Sequence, residues 1–341
     1  VPLVAYAAIV TICGASQGGL REAFGSFMTL RPLVVYFIAY DVFSRNKQLQ
    51  GLSLGLLLVV SAVAGLWGTF QQLSGYHPFG FQYLQGVGFL SGPMAFAGQM
   101  QLFALMAVGL ALTGGFEELP GKLKDYRVFF AVAVANVLGL IFASERSAWL
   151  GFLVAGTVAG ALISGRTAAK ILAAGSGLAA VAWFTVPVFQ KRLLPLLDWY
   201  HEVSSRARLE VWEKAWAVFK QHPVLGCGPR NFPHVYIPEA LVPGQARYLA
   251  HAHSNYLHAL ATTGVVGFCF FIWLSLASLK LAFDQFINPE SKFRRGVGLG
   301  LFAGLISLAI AGFFEYNFGT GQVRLAQWYL LAFLIPRRSA D

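Results

Sequence analysis

Apolar residues in this chain come in long blocks that hold almost no charge, and few chains with that pattern can fold in water. Hydrophobic residues make up 57% of the 341 positions and charged residues 12%, against about 25% charged in a soluble domain. Too little polar surface remains to meet water all round. A membrane-crossing helix needs about 20 mainly apolar residues. Blocks that fit lie at 1–13, 28–43, 51–70, 93–113, 128–143, 147–164, 169–187, 256–279, 297–314 and 323–336. The expected fold class is all-α, a polytopic transmembrane bundle of about ten spans with one large loop. The domain reading follows: 1–187 as N-terminal transmembrane helices, 188–255 as the loop, 256–341 as C-terminal transmembrane helices. The chain begins at Val1, already inside an apolar block and without an initiator Met, which points to an N-terminal truncation. No cleavable signal peptide is visible.

Charge supplies an independent test of that layout. Lys and Arg number 25 against 15 Asp and Glu, a formal charge of +10. In a soluble chain such an excess would suggest nucleic acid. In a membrane chain it reports orientation and anionic ligands, so no nucleic-acid partner is expected. Thirteen of the basic residues fall in the even-numbered connections and the C-terminus, among them Arg45, Lys47, Lys122, Lys124, Arg295, Arg337 and Arg338. Only four, Arg21, Arg31, Arg146 and Arg324, fall in the short odd-numbered connections. Cytoplasmic loops carry the Lys/Arg excess, and long loops translocate regardless of charge. The odd-numbered connections, including 188–255, are therefore expected on the periplasmic or exterior side.

Within the long loop, SRARLEVWEKAWAVFK at 205–220 places Leu209, Trp212, Trp216 and Phe219 at three- and four-residue steps. This predicts an amphipathic helix with its tryptophans on the greasy side and Arg208, Glu210, Glu213, Lys214 and Lys220 polar. Such a helix fits the lipid headgroup plane and equally fits packing on the bundle. HPVLGCGPRNF at 222–232 is turn-rich. Its Gly226-x-Gly228 is no nucleotide fingerprint, since it follows no strand and lacks the third glycine. Arg247, His251, His253 and Asn255 then cluster just before an apolar block. Two histidines two residues apart on a helix point in different directions, and no acidic or Cys partner is near. No metal is expected. Cys13, Cys227 and Cys269 form no CxxC pattern and predict neither a disulfide framework nor a zinc site. Histidines beside arginines at a membrane face suit acid–base work on an anionic substrate. They also suit plain interfacial residues bonded to the backbone, and the residues alone leave both open. His77, Glu145, Arg146, Glu315, Asn317 and Arg324 are expected on the same side, where ionisable groups near a bilayer mark function.

The order of these motifs resembles the O-antigen ligase and polymerase superfamily. SERSAWLG at 144–151 resembles its arginine motif before a span. Arg208-x-x-x-Trp212 followed by HPVLGCGPRNF resembles its R…W…P-x-x-G-x-G signature. AHAHSNYLHALATTGVVGF at 250–268 resembles its histidine motif, with Ser254 where the family pattern has Asn. FLSGPMAFAGQ at 89–99 and FEYNFG at 314–319 resemble an earlier small-residue motif and a late acidic and amide motif. The likeness covers most of the chain and is most specific from 144 to 319. The family has about twelve helices, in keeping with a truncated N-terminus.

The resemblance implies a GT-C-like membrane glycosyltransferase of the bacterial inner membrane with a periplasmic active face. Its partners would be a polyprenyl-diphosphate-linked glycan as donor, a glycan or lipid A-core as acceptor, and membrane lipids. It needs no cofactor. By the same resemblance His253 is the general base with His251 in reserve. Arg146, Arg208, Arg230, Arg247 and Arg324 hold the diphosphate, and Asn255, Glu315 and Asn317 support them. Arginine suits the task because its planar fork binds phosphate oxygens in pairs. A ligase reading is preferred; a polymerase or a protein O-glycan transferase shares every motif. Outside the family, a bicarbonate-like solute transporter would place its polar site near the midplane, and a structural scaffold would need no one-sided Arg/His cluster.

Overall fold

In hydrocarbon a backbone N–H or C=O has no water to bond, and the helix is the conformation that closes those groups within one segment. A computed structural model describes residues 1–77, 85–90, 92–198, 202–238 and 249–334. Among these the chain is all-α. Its helices are α1 (Pro2–Met28), α2 (Leu33–Arg45), α3 (Lys47–Ser74), α4 (Pro93–Thr113), α5 (Tyr126–Phe142), α6 (Arg146–Ile163), α7 (Gly165–Thr185), α8 (Pro187–Leu193), α9 (Val203–Gln221), α10 (Asn255–Ile287), α11 (Lys292–Ala311) and α12 (Gly321–Leu331).

Seven of the described helices, α1, α3, α4, α6, α7, α10 and α11, are long and apolar enough to cross a membrane. They coincide with seven of the ten expected spans. The other three fall on shorter helices: α2 with 13 residues, α5 with 17 and α12 with 11. At 1.5 Å per residue, the shortest of these reaches about half of a 30 Å hydrocarbon layer. The count of ten thus rested on apolar composition that three helices do not match in length. The tenth block also runs past the described residues.

By contacts the chain divides into two compact units. Unit 2 comprises Val34–Leu193, Leu279–Ala311 and Thr320–Asp341. Its α4 and α11 pack backbone to backbone. A Cβ on Gly109 would stand 2.3 Å from the Gly300 nitrogen, the close approach that small residues permit where burial from water drives nothing. Buried polar side chains meet in pairs: Ser61 donates to Asn136 at 2.6 Å and Ser307 to Gln101 at 2.6 Å. Leu52, Leu56, Val60 and Val63 of α3 form an exposed apolar stripe, which water would penalise and lipid does not.

Unit 1 comprises Val1–Leu33, Leu194–Ser278 and Gly312–Gly319. It is organised around a break in α10 at Gly264, where φ is 61°. In an unbroken helix the N–H groups of Val265 and Val266 would close on Ala261 and Thr262. Here they donate to the carbonyls of Pro223 and Val224, at 2.9 and 3.3 Å. The vacated carbonyls of Ala261 and Thr262 accept from Cys227 and Gly228, at 3.0 and 2.9 Å. The turn-rich 223–228 segment is therefore a backbone patch on a broken apolar helix, and its glycines are packing devices. A Cβ on Gly226, at φ 69°, would lie 2.2 Å from the Thr262 carbonyl carbon. One on Gly264 would lie 2.2 Å from the Val224 oxygen.

Gly226→Ala and Gly264→Ala should each destabilise the detergent-purified protein by about 1–3 kcal/mol, from left-handed strain plus overpacking. Thermal melting checks this, with Gly165→Ala as control: a Cβ there meets nothing within 4 Å.

Candidate functional site

The histidine motif sits at the start of α10, before its break at Gly264. Ser254 caps it, accepting the Leu257 N–H on its hydroxyl at 3.4 Å, the usual work of a short polar side chain at that position. Asn255 reaches the late acidic motif twice. Its N–H donates to the Gly312 carbonyl at 2.7 Å, and its side-chain oxygen accepts from Phe318 at 2.9 Å. These two bonds bring 312–319 to the start of α10, where Glu315 faces His253; Glu315 and Asn317 are both buried.

Glu315 is the joint of the cluster. One carboxylate oxygen accepts from Arg208 Nη2 at 2.5 Å; the other faces His253 Nδ1 at 3.8 Å. Neither of that second pair of atoms has another hydrogen-bond partner, and both are buried. Arg208 projects from α9 and is itself held. Its Nε donates to the Phe314 carbonyl at 3.0 Å, and its Nη1 donates to the carbonyl and the hydroxyl of Ser204. Four of its five N–H donors are thereby engaged. Trp212, one turn on, packs near Phe314 with its indole N–H buried and unbonded.

The two motif histidines differ in situation. His251 accepts the His253 backbone N–H on Nδ1 at 3.4 Å. Burial, then the neighbouring His253, pushes its pKa down to about 4 against an opposing pull from Glu315. It is neutral at physiological pH, with its proton on Nε2. His253 sits at φ 45°, in the left-handed region, and its side chain is 23% exposed where that of Glu315 is 4%. His258, one turn into α10, is buried. It accepts the Ala252 N–H on Nδ1 at 3.4 Å and packs on Tyr316 at 4.0 Å between ring centres.

Other expected residues lie elsewhere. Arg230, in unit 1, is half-exposed and makes a long ion pair with Glu22, 3.6 Å. Arg247 lies outside the described residues. Arg146 and Arg324 belong to unit 2. There Ser144 takes φ 57°, Glu145 is buried, and Arg192 donates to the Ser144 carbonyl at 2.9 Å while pairing with Glu145 at 3.6 Å. Arg146 Nη1 donates to the Arg192 carbonyl at 3.2 Å. Trp149 and Phe189 stack at 4.6 Å and line an apolar cavity of about 320 Å³ with Leu140, Phe152, Ile171 and Leu178. Arg324, on α12, is half-buried.

Sequence reasoning passed over Arg192 and Lys214. The expected greasy face of α9 was Leu209, Trp212, Trp216 and Phe219, with Lys214 on the polar side. The packed face is instead Val211, Lys214, Ala215 and Val218, and Trp216 is exposed. Small side chains let α9 approach its neighbours closely, and the bulky aromatics stay at the margin. The register of Lys214 with Val211, Ala215 and Val218 was the available signal.

No curated protein matches the chain. Residues 131–272 match the family model described as O-antigen ligase. That stretch runs from within α5 through the arginine motif, α9, the 223–228 patch and the histidines, and past the break in α10. With its apolar helices the chain is an integral membrane protein, and over residues 131–272 it is similar to the O-antigen ligase family.

Proposed function

We propose that the chain is a membrane glycosyltransferase that moves a glycan from a polyprenyl-diphosphate donor to an acceptor sugar hydroxyl. The observation that carries this reading is the Glu315 carboxylate, gripped by Arg208 on one oxygen and facing His253 Nδ1 with the other. A base oriented by a carboxylate is the recurring layout for drawing a proton from a hydroxyl. With its Nδ1 proton aimed at Glu315, His253 offers Nε2 to the acceptor. The hydroxyl oxygen bonds to the anomeric carbon, its proton passes to His253, and the carbon–oxygen bond to the diphosphate breaks. The leaving diphosphate carries the developing charge, which fixed guanidinium groups stabilise without a metal.

Two arginines of unit 1 serve that purpose differently. Arg208 clamps Glu315 and retains one N–H and its charge for the phosphate. Arg230, with a single long ion pair, is the more available fork. His251 keeps its neighbour's backbone in place and stays neutral. In unit 2, Arg146 and Arg192 meet an anionic lipid head, and the Trp149–Phe189 cavity takes hydrocarbon from its tail. The Lys/Arg distribution supports a periplasmic active face in a bacterial inner membrane. Ligation to a lipid A-core acceptor is the preferred form. Polymerisation and transfer to protein use the same chemistry and differ in acceptor.

A discontinuous helix such as α10 is also the way secondary transporters expose backbone to an ion. Here the Val265 and Val266 N–H groups and the Ala261 and Thr262 carbonyls are taken by 223–228, which weighs against that reading.

The test is transfer by the purified protein from the source organism's lipid-linked glycans to its lipid A-core and glycan fractions, offered separately. His253→Ala should lower the rate by about 10²–10⁴-fold, the usual worth of a general base, with unchanged melting; a fully active variant removes the assignment. Arg208→Lys should lose at least about tenfold, since an ammonium cannot hold Glu315, Phe314 and Ser204 together. Transfer unaffected by that change would detach Arg208 from the site.

A further inference from the structure

Lys214 has no part in the chemistry above, yet it is an ammonium buried in unit 1. Its side chain is fully buried, on the face of α9 where Val211, Ala215 and Val218 join an apolar cluster with Cys227, Phe232 and Ala252. Taking an ammonium out of water costs several kcal/mol even after relaxation. Burial pushes Lys214 down to about 8, with the Cys227 thiol pulling the other way. The ammonium still dominates at neutral pH. A methionine would fill the same space without that cost, so packing alone does not account for the residue.

Its contacts point to a purpose. Lys214 Nζ donates to the Leu249 carbonyl at 3.3 Å and lies 4.5 Å from the centre of the Phe232 ring. Phe232 meets His258 edge to face at 5.1 Å, and His258 Nδ1 holds the Ala252 N–H. Both ends of 249–252 therefore trace back to the one ammonium, directly at Leu249 and through two rings at Ala252. The next residue is His253, in a backbone region that non-glycine residues occupy only when their surroundings over-determine them. The helix that supplies Lys214 also supplies Arg208.

We infer that Lys214 is a positioning residue for His253, tying the histidine loop to α9 so that the imidazole and the Arg208–Glu315 clamp share one frame. This rests on the reading of His253 as the base.

Lys214→Met and Lys214→Gln, made in the full chain beside His253→Ala, test it with the donor and acceptor fractions named above. Lys214→Met should melt at or above the wild-type temperature, because a buried charge is replaced by an apolar chain of similar volume. Its kcat should fall about tenfold or more with apparent KM within about twofold, as when a supporting partner of a reactive group is lost. Hydrogen exchange over 249–254 should rise. Lys214→Gln keeps a donor for the Leu249 carbonyl and should recover part of the rate. A Lys214→Met protein with wild-type kcat and wild-type exchange overturns the inference. So does a drop in melting temperature shared by both variants with no difference in kcat between them. If His253→Ala is inactive while Lys214→Met is normal, the lysine inference alone fails. If His253→Ala is fully active, the base assignment falls and the inference with it.

Discussion

An apolar helix that breaks must hand its freed backbone groups to something other than water, and unit 1 follows from how α10 does so. Two N–H groups and two carbonyls are released around Gly264, and the 223–228 segment takes all four. That exchange fixes the segment to the helix at atomic spacing and demands glycine on both sides, at 226 and at 264. It also fixes the approach of α9, which runs directly into the patch at His222. The start of α10 is then placed relative to α9, and Asn255 draws 312–319 onto the same point. Three stretches distant in sequence meet through backbone hydrogen bonds and one asparagine side chain before any ionisable group is considered.

Electrostatics then decides what the meeting point can do. A buried carboxylate without a cation would be costly, and Arg208 supplies the cation at 2.5 Å. The same bond leaves the second carboxylate oxygen aimed at an imidazole. The motif arginine is thus spent mainly on Glu315 and on the Ser204 and Phe314 backbone. The less restrained Arg230 keeps more of its fork open. A family pattern that assigns both arginines to phosphate does not distinguish these roles; counting occupied donors does.

Composition and periodicity made the helical fold legible, and the loop histidines, Arg208 and Glu315 were legible as candidates because ionisable residues stand out in an apolar chain. Helix length was less legible. Apolar character runs past the ends of α2 and α12, because turns and short helical pieces among apolar neighbours read like the helix itself. The packed face of α9 was less legible for a related reason. Hydrophobicity marked the tryptophans as the greasy side and left open whether they meet headgroups or the bundle, whereas close packing selected the small residues and carried Lys214 in with them. The Glu145–Arg192 pair joins residues 47 apart in sequence, and no local pattern signals a partner at that distance.

The misread lysine bears on why an all-apolar core would be a poorer solution here. A hydrophobic contact is non-directional and holds a loop only as well as its shape fits. The 249–254 loop is short, carries a residue at positive φ, and has to present one imidazole nitrogen to a buried carboxylate. A hydrogen bond from a cation that has no water to turn to is directional and stronger than its aqueous counterpart. The cost of burying Lys214 therefore falls on the stability of unit 1, while the gain appears as geometry at His253. Strain held at His253 and compensated elsewhere in the fold is the expected arrangement where precise placement matters more than stability.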